Sequence, residues 1–170
     1  FDRLRKLAGE YAMLTVPDYE AAKAWETTGR PFEIFLDASL YGVGAMLCQV
    51  DAELGKHRPI AFLSRSLTPT QQAWPAWVCE LWAMKEASME FGVICGGYHT
   101  VLWTDHKNNT RISLMPPEEC GEKVIRWWGE ILRAGHHPRF LAGKLNPSDG
   151  LSRNPVDRDE VLRRRAALLK

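Results

Sequence analysis

The run Phe32-Glu33-Ile34-Phe35-Leu36-Asp37-Ala38-Ser39 is the most constraining stretch of the chain, because it is an apolar strand that ends on a single carboxylate. A glycine-punctuated segment, Tyr41-Gly42-Val43-Gly44-Ala45-Met46-Leu47, follows almost at once. Strands are expected at Phe32 to Asp37, Gly42 to Val50 and Pro59 to Ser64, each rich in β-branched or aromatic residues. The short turn-forming segments between them predict an antiparallel meander.

A long helix comes next. Pro75 suits its first position, where the missing N–H would have no partner anyway. At about 100° per residue, Trp77, Leu81, Met84, Ser88 and Phe91 line one face and Glu80 falls on the margin of that stripe. Gly96-Gly97 ends the helix, and His99 to Thr104 reads as a fourth strand that delivers Asp105 at its tip. A polar stretch with Pro116-Pro117 leads to a helix around Val124 to Arg133, and Pro138 to Leu141 reads as a fifth strand. Ser148 to Ser152 and Arg158 to Leu169 read as helical. Before all of this, Phe1 to Ala24 reads as short helical pieces broken at Pro17, and Thr27-Thr28-Gly29-Arg30-Pro31 punctuates the start of the first strand.

Four acids stand in separate contexts: Asp37, Glu80 in Cys79-Glu80-Leu81, Asp105 in Thr104-Asp105-His106, and Asp149 in Asn146-Pro147-Ser148-Asp149-Gly150-Leu151-Ser152-Arg153. Taken singly, Asp37 suits a turn, Asp149 a helix cap and Asp105 a solvated strand end. Glu80 is different, because an unpaired buried glutamate is rare.

In order, spacing and flanking residues, the four motifs together resemble the ribonuclease H domain of reverse transcriptases, in particular that of gypsy-type LTR retrotransposons, over roughly Phe32 to Arg153. The resemblance implies an α/β ribonuclease H-like fold, a five-stranded mixed sheet flanked by helices on both faces. It implies that Asp37, Glu80, Asp105 and Asp149 converge as catalytic metal ligands: Asp37 bridging two ions, Glu80 and Asp105 completing one site, Asp149 helping to hold the other. The activity implied is hydrolysis of the RNA strand of RNA–DNA hybrids beside the polymerase part of the same polyprotein. Crowding supplies a physical reason for cations. Two carboxylates about 4 Å apart repel by roughly 4 kcal/mol at an effective dielectric near 20. Oxygen-only ligands select Mg²⁺, with Mn²⁺ as a substitute, over zinc. Alternatives in other classes are a non-catalytic nucleic-acid-binding or tethering module of the same fold, and an integrase-like nuclease.

The pattern departs from the family's in places. Asn109 stands where an apolar residue is usual, Val78 where a further Glu is common, and Phe140 to Ser148 holds no histidine. Ser39, Arg65, Lys144 and Asn146 are candidate substrate contacts, with His57 and Arg58 as further candidates for phosphate. His106 reads as a structural hydrogen-bonding residue, and His136-His137 as a surface loop without ligand spacing. Trp127 and Trp128 suit base stacking or core packing, the helix favouring core for at least one.

The charge balance excludes a global basic field: 22 Lys+Arg against 21 Asp+Glu leave a net charge of +1, so contact with a polyanion requires a local patch. Cys48, Cys79, Cys95 and Cys120 show no metal-finger spacing, and reduced thiols of an intracellular protein, in a cytoplasmic particle or the nucleus, are expected. No apolar run nears the roughly 18 residues of a membrane helix, and no signal-peptide pattern is present. A start at Phe1 suggests a piece of something longer. The organisation expected is a lead-in over residues 1–31 resembling the polymerase-to-nuclease connection, a ribonuclease H-like domain over 32–154, and a basic helical tail over 155–170.

Overall fold

The computed structural model describes residues 14–112, 117–143 and 146. Two short helices open it, α1 (Tyr19–Lys23) and α2 (Trp25–Thr28). Asp18 caps α1 by accepting from the Ala21 N–H at 3.0 Å and also pairs with Arg30 at 2.9 Å. The Gln49 side chain bonds to the backbone of both Asp18 and Arg30, which ties this lead-in to the sheet.

Strands β1 (Phe32–Ala38), β2 (Gly42–Val50) and β3 (His57–Ser66) form the expected antiparallel meander. A four-residue helix, α3 (Pro69–Gln72), carries a capping box between Thr68 and Gln71 and turns the chain toward α4 (Ala76–Cys95). Then come β4 (Thr100–Thr104), a 3-10 turn at Lys107–Thr110, α5 (Pro117–Arg133) and β5 (His136–Phe140). The sheet order is β3-β2-β1-β4-β5, with β4 parallel to both β1 and β5. This is the five-stranded mixed sheet of the ribonuclease H-like fold.

The alternation of β1 sorts its side chains between two surfaces. Phe32, Ile34 and Leu36 face α4 and α5, and with Leu47, Leu63, Leu81, Met84, Phe91, Leu102, Trp127 and Ile131 they make one buried core. On the opposite surface Glu33, Phe35 and Asp37 register with Cys48, Met46 and Gly44 of β2. Because β1 and β4 are parallel, both finish at the same edge of the sheet, Asp37 at one strand end and Asp105 just past the other.

Several expected boundaries move. Pro75 caps α4 in an extended conformation (φ −55°, ψ 146°) instead of being its first residue, since the preceding α3 and Trp74 turn the chain there. The strand β3 is longer at both ends than expected, and α5 begins at Pro117, interrupted at Gly121, whose φ of 72° and ψ of 152° are non-helical. His136-His137 is no surface loop. It opens β5 in parallel pairing with β4, and His136 is 0% exposed, its Nδ1 2.9 Å from Ser88 Oγ and its Nε2 3.6 Å from Cys95 Sγ. Burial pushes His136 down to about 4. Trp127 lies in the core, and all four cysteines are free and buried. No helix among the described residues is long and apolar enough to cross a membrane. The helices expected beyond Ser148, and the start of the lead-in before residue 14, fall outside the described residues.

Candidate active site

Three elements bring three acids together. The end of β1 supplies Asp37, the second turn of α4 supplies Glu80, and the residue after β4 is Asp105. One carboxylate oxygen from each lies within 4.8 Å of the other two. Asp37 and Glu80 are buried, whereas Asp105 is exposed at the mouth. Asp149 lies outside the described residues.

Glu80 is held by a backbone contact: the Ala38 N–H donates to its Oε1 at 2.7 Å. Its Oε2 is buried and has no hydrogen-bond partner among the described residues. Burial raises the Glu80 pKa to about 8, and the nearby Asp105 and Asp37 charges add to it against the Ala38 hydrogen bond. A buried carboxylate oxygen without a donor is costly unless a proton or a cation meets it. The all-oxygen donor set of Asp37, Glu80 and Asp105 fits a hard divalent ion of the Mg²⁺ or Mn²⁺ kind.

These acids line a cleft of about 510 Å³ with Ala38, Ser39, Leu40, Gln72, Trp74 and His106 among the other walls. The segment after β5 closes in from the side. A Cβ added at Gly143 would sit 2.8 Å from Asp105 Oδ2, so a larger residue there would displace the Asp105 carboxylate. Asn146, also buried, donates from Nδ2 to the Leu36 carbonyl at 2.7 Å and so braces β1 one residue before Asp37.

The substrate contacts expected from sequence fare differently. Ser39 lines the cleft, but its hydroxyl donates to the Gly42 carbonyl and accepts from the Tyr41 and Gly42 N–H groups, so it shapes the β1–β2 turn. Arg65 is engaged by Glu86 and, at 2.7 Å, by Glu90 of α4, away from the cleft walls. Asn146 is a buried brace instead of an open polar contact, and Lys144 falls outside the described residues. His57 bonds Glu33 at 2.8 Å and Arg58 lies 3.5 Å from Asp51, both away from the acids. His106 does line the cleft, with a buried Nδ1 that has no partner among the described residues.

Sequence reading passed over Trp74 and Gly143. Trp74 directly precedes Pro75 at the start of the helix that carries Glu80, and that adjacency was the available signal. Gly143 gave none, because its role comes from a neighbour distant in sequence.

A family model described as the RNase H-like domain found in reverse transcriptase matches residues 27–133. The retrovirus-related Pol polyprotein from transposon gypsy of Drosophila melanogaster is 30% identical over 163 residues, 92% of this chain and 14% of that protein. The counterpart from transposon opus of the same organism is 31% identical over 134 residues, 78% of this chain and 13% of that protein. The chain thus spans a small part of the curated relatives it matches. Among solved structures, the foamy viral protease–reverse transcriptase in complex with dsDNA superposes with a TM-score of 0.62 at 15% identity, covering 84% of this chain and 28% of that one. Its complex with RNA/DNA hybrid gives 0.57 at 18% identity, covering 75% and 17%. The N-terminal RNase H domain of a Mycobacterium tuberculosis protein, fused to maltose binding protein, gives 0.54 at 8% identity, covering 81% and 97%. At such identities the likeness is one of fold.

Proposed function

The chain belongs to the family of RNase H-like domains found in reverse transcriptase, and on that premise we propose that it hydrolyses the RNA strand of RNA–DNA hybrids with the help of divalent metal ions. The observation that carries this reading is the convergence of Asp37, Glu80 and Asp105 around the partnerless Oε2 of Glu80. Similarity to Pol polyproteins of Drosophila retrotransposons supports a setting beside a polymerase. Among the solved relatives, the foamy viral enzyme with a bound RNA/DNA hybrid supports the substrate.

Asp37, Glu80 and Asp105 would hold the metal, with Asp149 as the fourth acid implied by the sequence pattern. Two divalent ions, when bound, supply charge stabilisation for the attacking and leaving oxygens of a phosphodiester displacement. The chain's own contribution is to position. The Ala38 N–H fixes one oxygen of Glu80 and leaves the other to the cleft. The Asn146 bond to the Leu36 carbonyl braces β1 one residue before Asp37. Burial of Asp37 and Glu80 keeps the local dielectric low, so a charge placed among them is felt strongly.

Substrate choice would rest on the 2′-hydroxyls that only RNA presents. The test is incubation of the chain with an end-labelled hybrid and Mg²⁺, with single-stranded RNA and duplex DNA as controls. Cleavage of the RNA strand of the hybrid alone is expected, and it should stop on chelation. Comparable cleavage of duplex DNA would point to a different nuclease. Tight binding without any turnover would point to a tethering module.

A further inference from the structure

The acids account for one side of the cleft, but its aromatic wall has no role in the reading above. Trp74 is partly exposed and lines the cleft immediately before the Pro75 cap of α4. A cation from another element covers its ring: Lys123 Nζ of α5 lies 3.6 Å from the Trp74 ring centroid and 4.6 Å from that of Trp127. The two indoles are 5.6 Å apart, and Trp127 is anchored in the core. Lys123 is otherwise exposed and forms no ion pair among the described residues. Its placement follows from the break at Gly121, after which the helix resumes with Lys123 near its start.

The cleft is short of positive charge. Three carboxylates line it, and no lysine or arginine does among the described residues. Arg65, away from the cleft walls, is already shared by Glu86 and Glu90. A polyanion brought to such a cleft is repelled unless a fixed cation stands at its rim. A free lysine loses side-chain entropy when it is pinned. Two indoles that hold the stem in advance reduce that loss, and the uncovered side of the ammonium keeps donors for an oxyanion.

We propose that Lys123, seated on Trp74 and Trp127, receives a backbone phosphate of the nucleic-acid substrate beside the scissile position, with Trp74 as the residue that positions it. The inference rests on the nuclease reading of the same cleft and adds a substrate contact on its aromatic side. Phosphate recognition of this kind is independent of base sequence.

The experiment measures binding of a fluorescent RNA–DNA hybrid to the chain in an Asp37→Asn background over a series of salt concentrations. Adding Lys123→Gln should weaken binding by about three- to tenfold at low salt and lower the slope of log affinity against log salt by about one. Lys123→Arg should keep the slope, and Trp74→Ala should reproduce most of the loss. If Lys123→Gln leaves both affinity and slope unchanged, or lowers only the melting temperature, Lys123 merely packs on its tryptophans and the proposal is overturned. If Asp37→Asn alone fails to bind hybrid, the nuclease reading falls first and the contact falls with it.

Discussion

Glu33 and Glu80 are both buried glutamates, 8% and 5% exposed, yet the protein treats them in opposite ways. Glu33, on β1, accepts from His57 Nε2 at 2.8 Å and from Trp103 Nε1 at 2.5 Å, so each of its oxygens has a donor. Phe35 stacks on Trp103 and meets His57 edge-on, closing the surroundings of the group. Among the described residues Glu80 has one donor for two oxygens and two carboxylates as neighbours, and its pKa is raised to about 8. A buried acid whose donors are all supplied by the fold is structural. One left short of a donor among the described residues is the one that a proton or a cation can meet.

The comparison makes its largest forecast for turnover. Asp37→Asn should lower hybrid cleavage on the order of 10³-fold, because several kcal/mol of charge stabilisation depends on that carboxylate, while hybrid affinity stays within a few fold. Initial rates and a binding titration on the same preparation check both halves. Glu33→Gln, four residues upstream on the same strand, should leave the rate nearly unchanged. A mutant at Asp37 that retains more than a few per cent of the parent rate breaks the assignment.

Next in size is a pH effect on the metal-free chain. The folded pKa of Glu80, about 8, lies above its ordinary value of 4.5, so the folded state holds a proton that the unfolded state has released between those limits. The stability contributed by the protonated group is therefore fully present below about pH 4.5 and is lost as pH rises through 8. The loss is on the order of a few kcal/mol. Melting curves in chelator should show this decline, Glu80→Gln should flatten it, and Mg²⁺ should raise the melting temperature most at the alkaline end. An equal slope in Glu80→Gln would place the proton elsewhere.

Smaller again is the cost of stripping the satisfied acid. Glu33→Ala leaves the Trp103 N–H and His57 without their acceptor, for about 2–3 kcal/mol in urea unfolding. A loss below the measurement error would mean that water replaces the carboxylate and that the contrast with Glu80 is overdrawn. Smallest is a gain. Asn109 is fully buried with both amide atoms unpartnered among the described residues, so Asn109→Leu should stabilise the chain by about 1 kcal/mol in the same assay. A loss of stability there would indicate an undescribed partner for the amide.

The residues that were legible in the sequence are those whose environment is local. Apolar runs rich in β-branched and aromatic residues placed β1 and β2, helical spacing put Glu80 at the edge of the buried stripe, and the residues flanking Asp37, Glu80 and Asp105 singled these acids out. The misreadings share a different cause. His136 looks like loop because two histidines before a proline carry no strand signal, and only parallel pairing with β4 and the Ser88 hydroxyl make it core. Arg65 looks like a free cation until Glu86 and Glu90 come around on the helix. Asn146 looks like a surface polar group until Leu36 offers a carbonyl. In each case the deciding partner lies more than twenty residues away, beyond the reach of periodicity.

That last bond joins residues 110 positions apart, and this separation bears on when the site comes into being as well as on its shape. The β1–β2–β3 hairpins close between near neighbours and can form early, but the brace behind Asp37 waits for a stretch of chain made long afterward. A nascent chain emptied from the ribosome before Asn146 carries the acids without the clamp on their strand. Assembly order thus becomes a form of timing: the three acids gain the brace on their strand only after Asn146 has been synthesised.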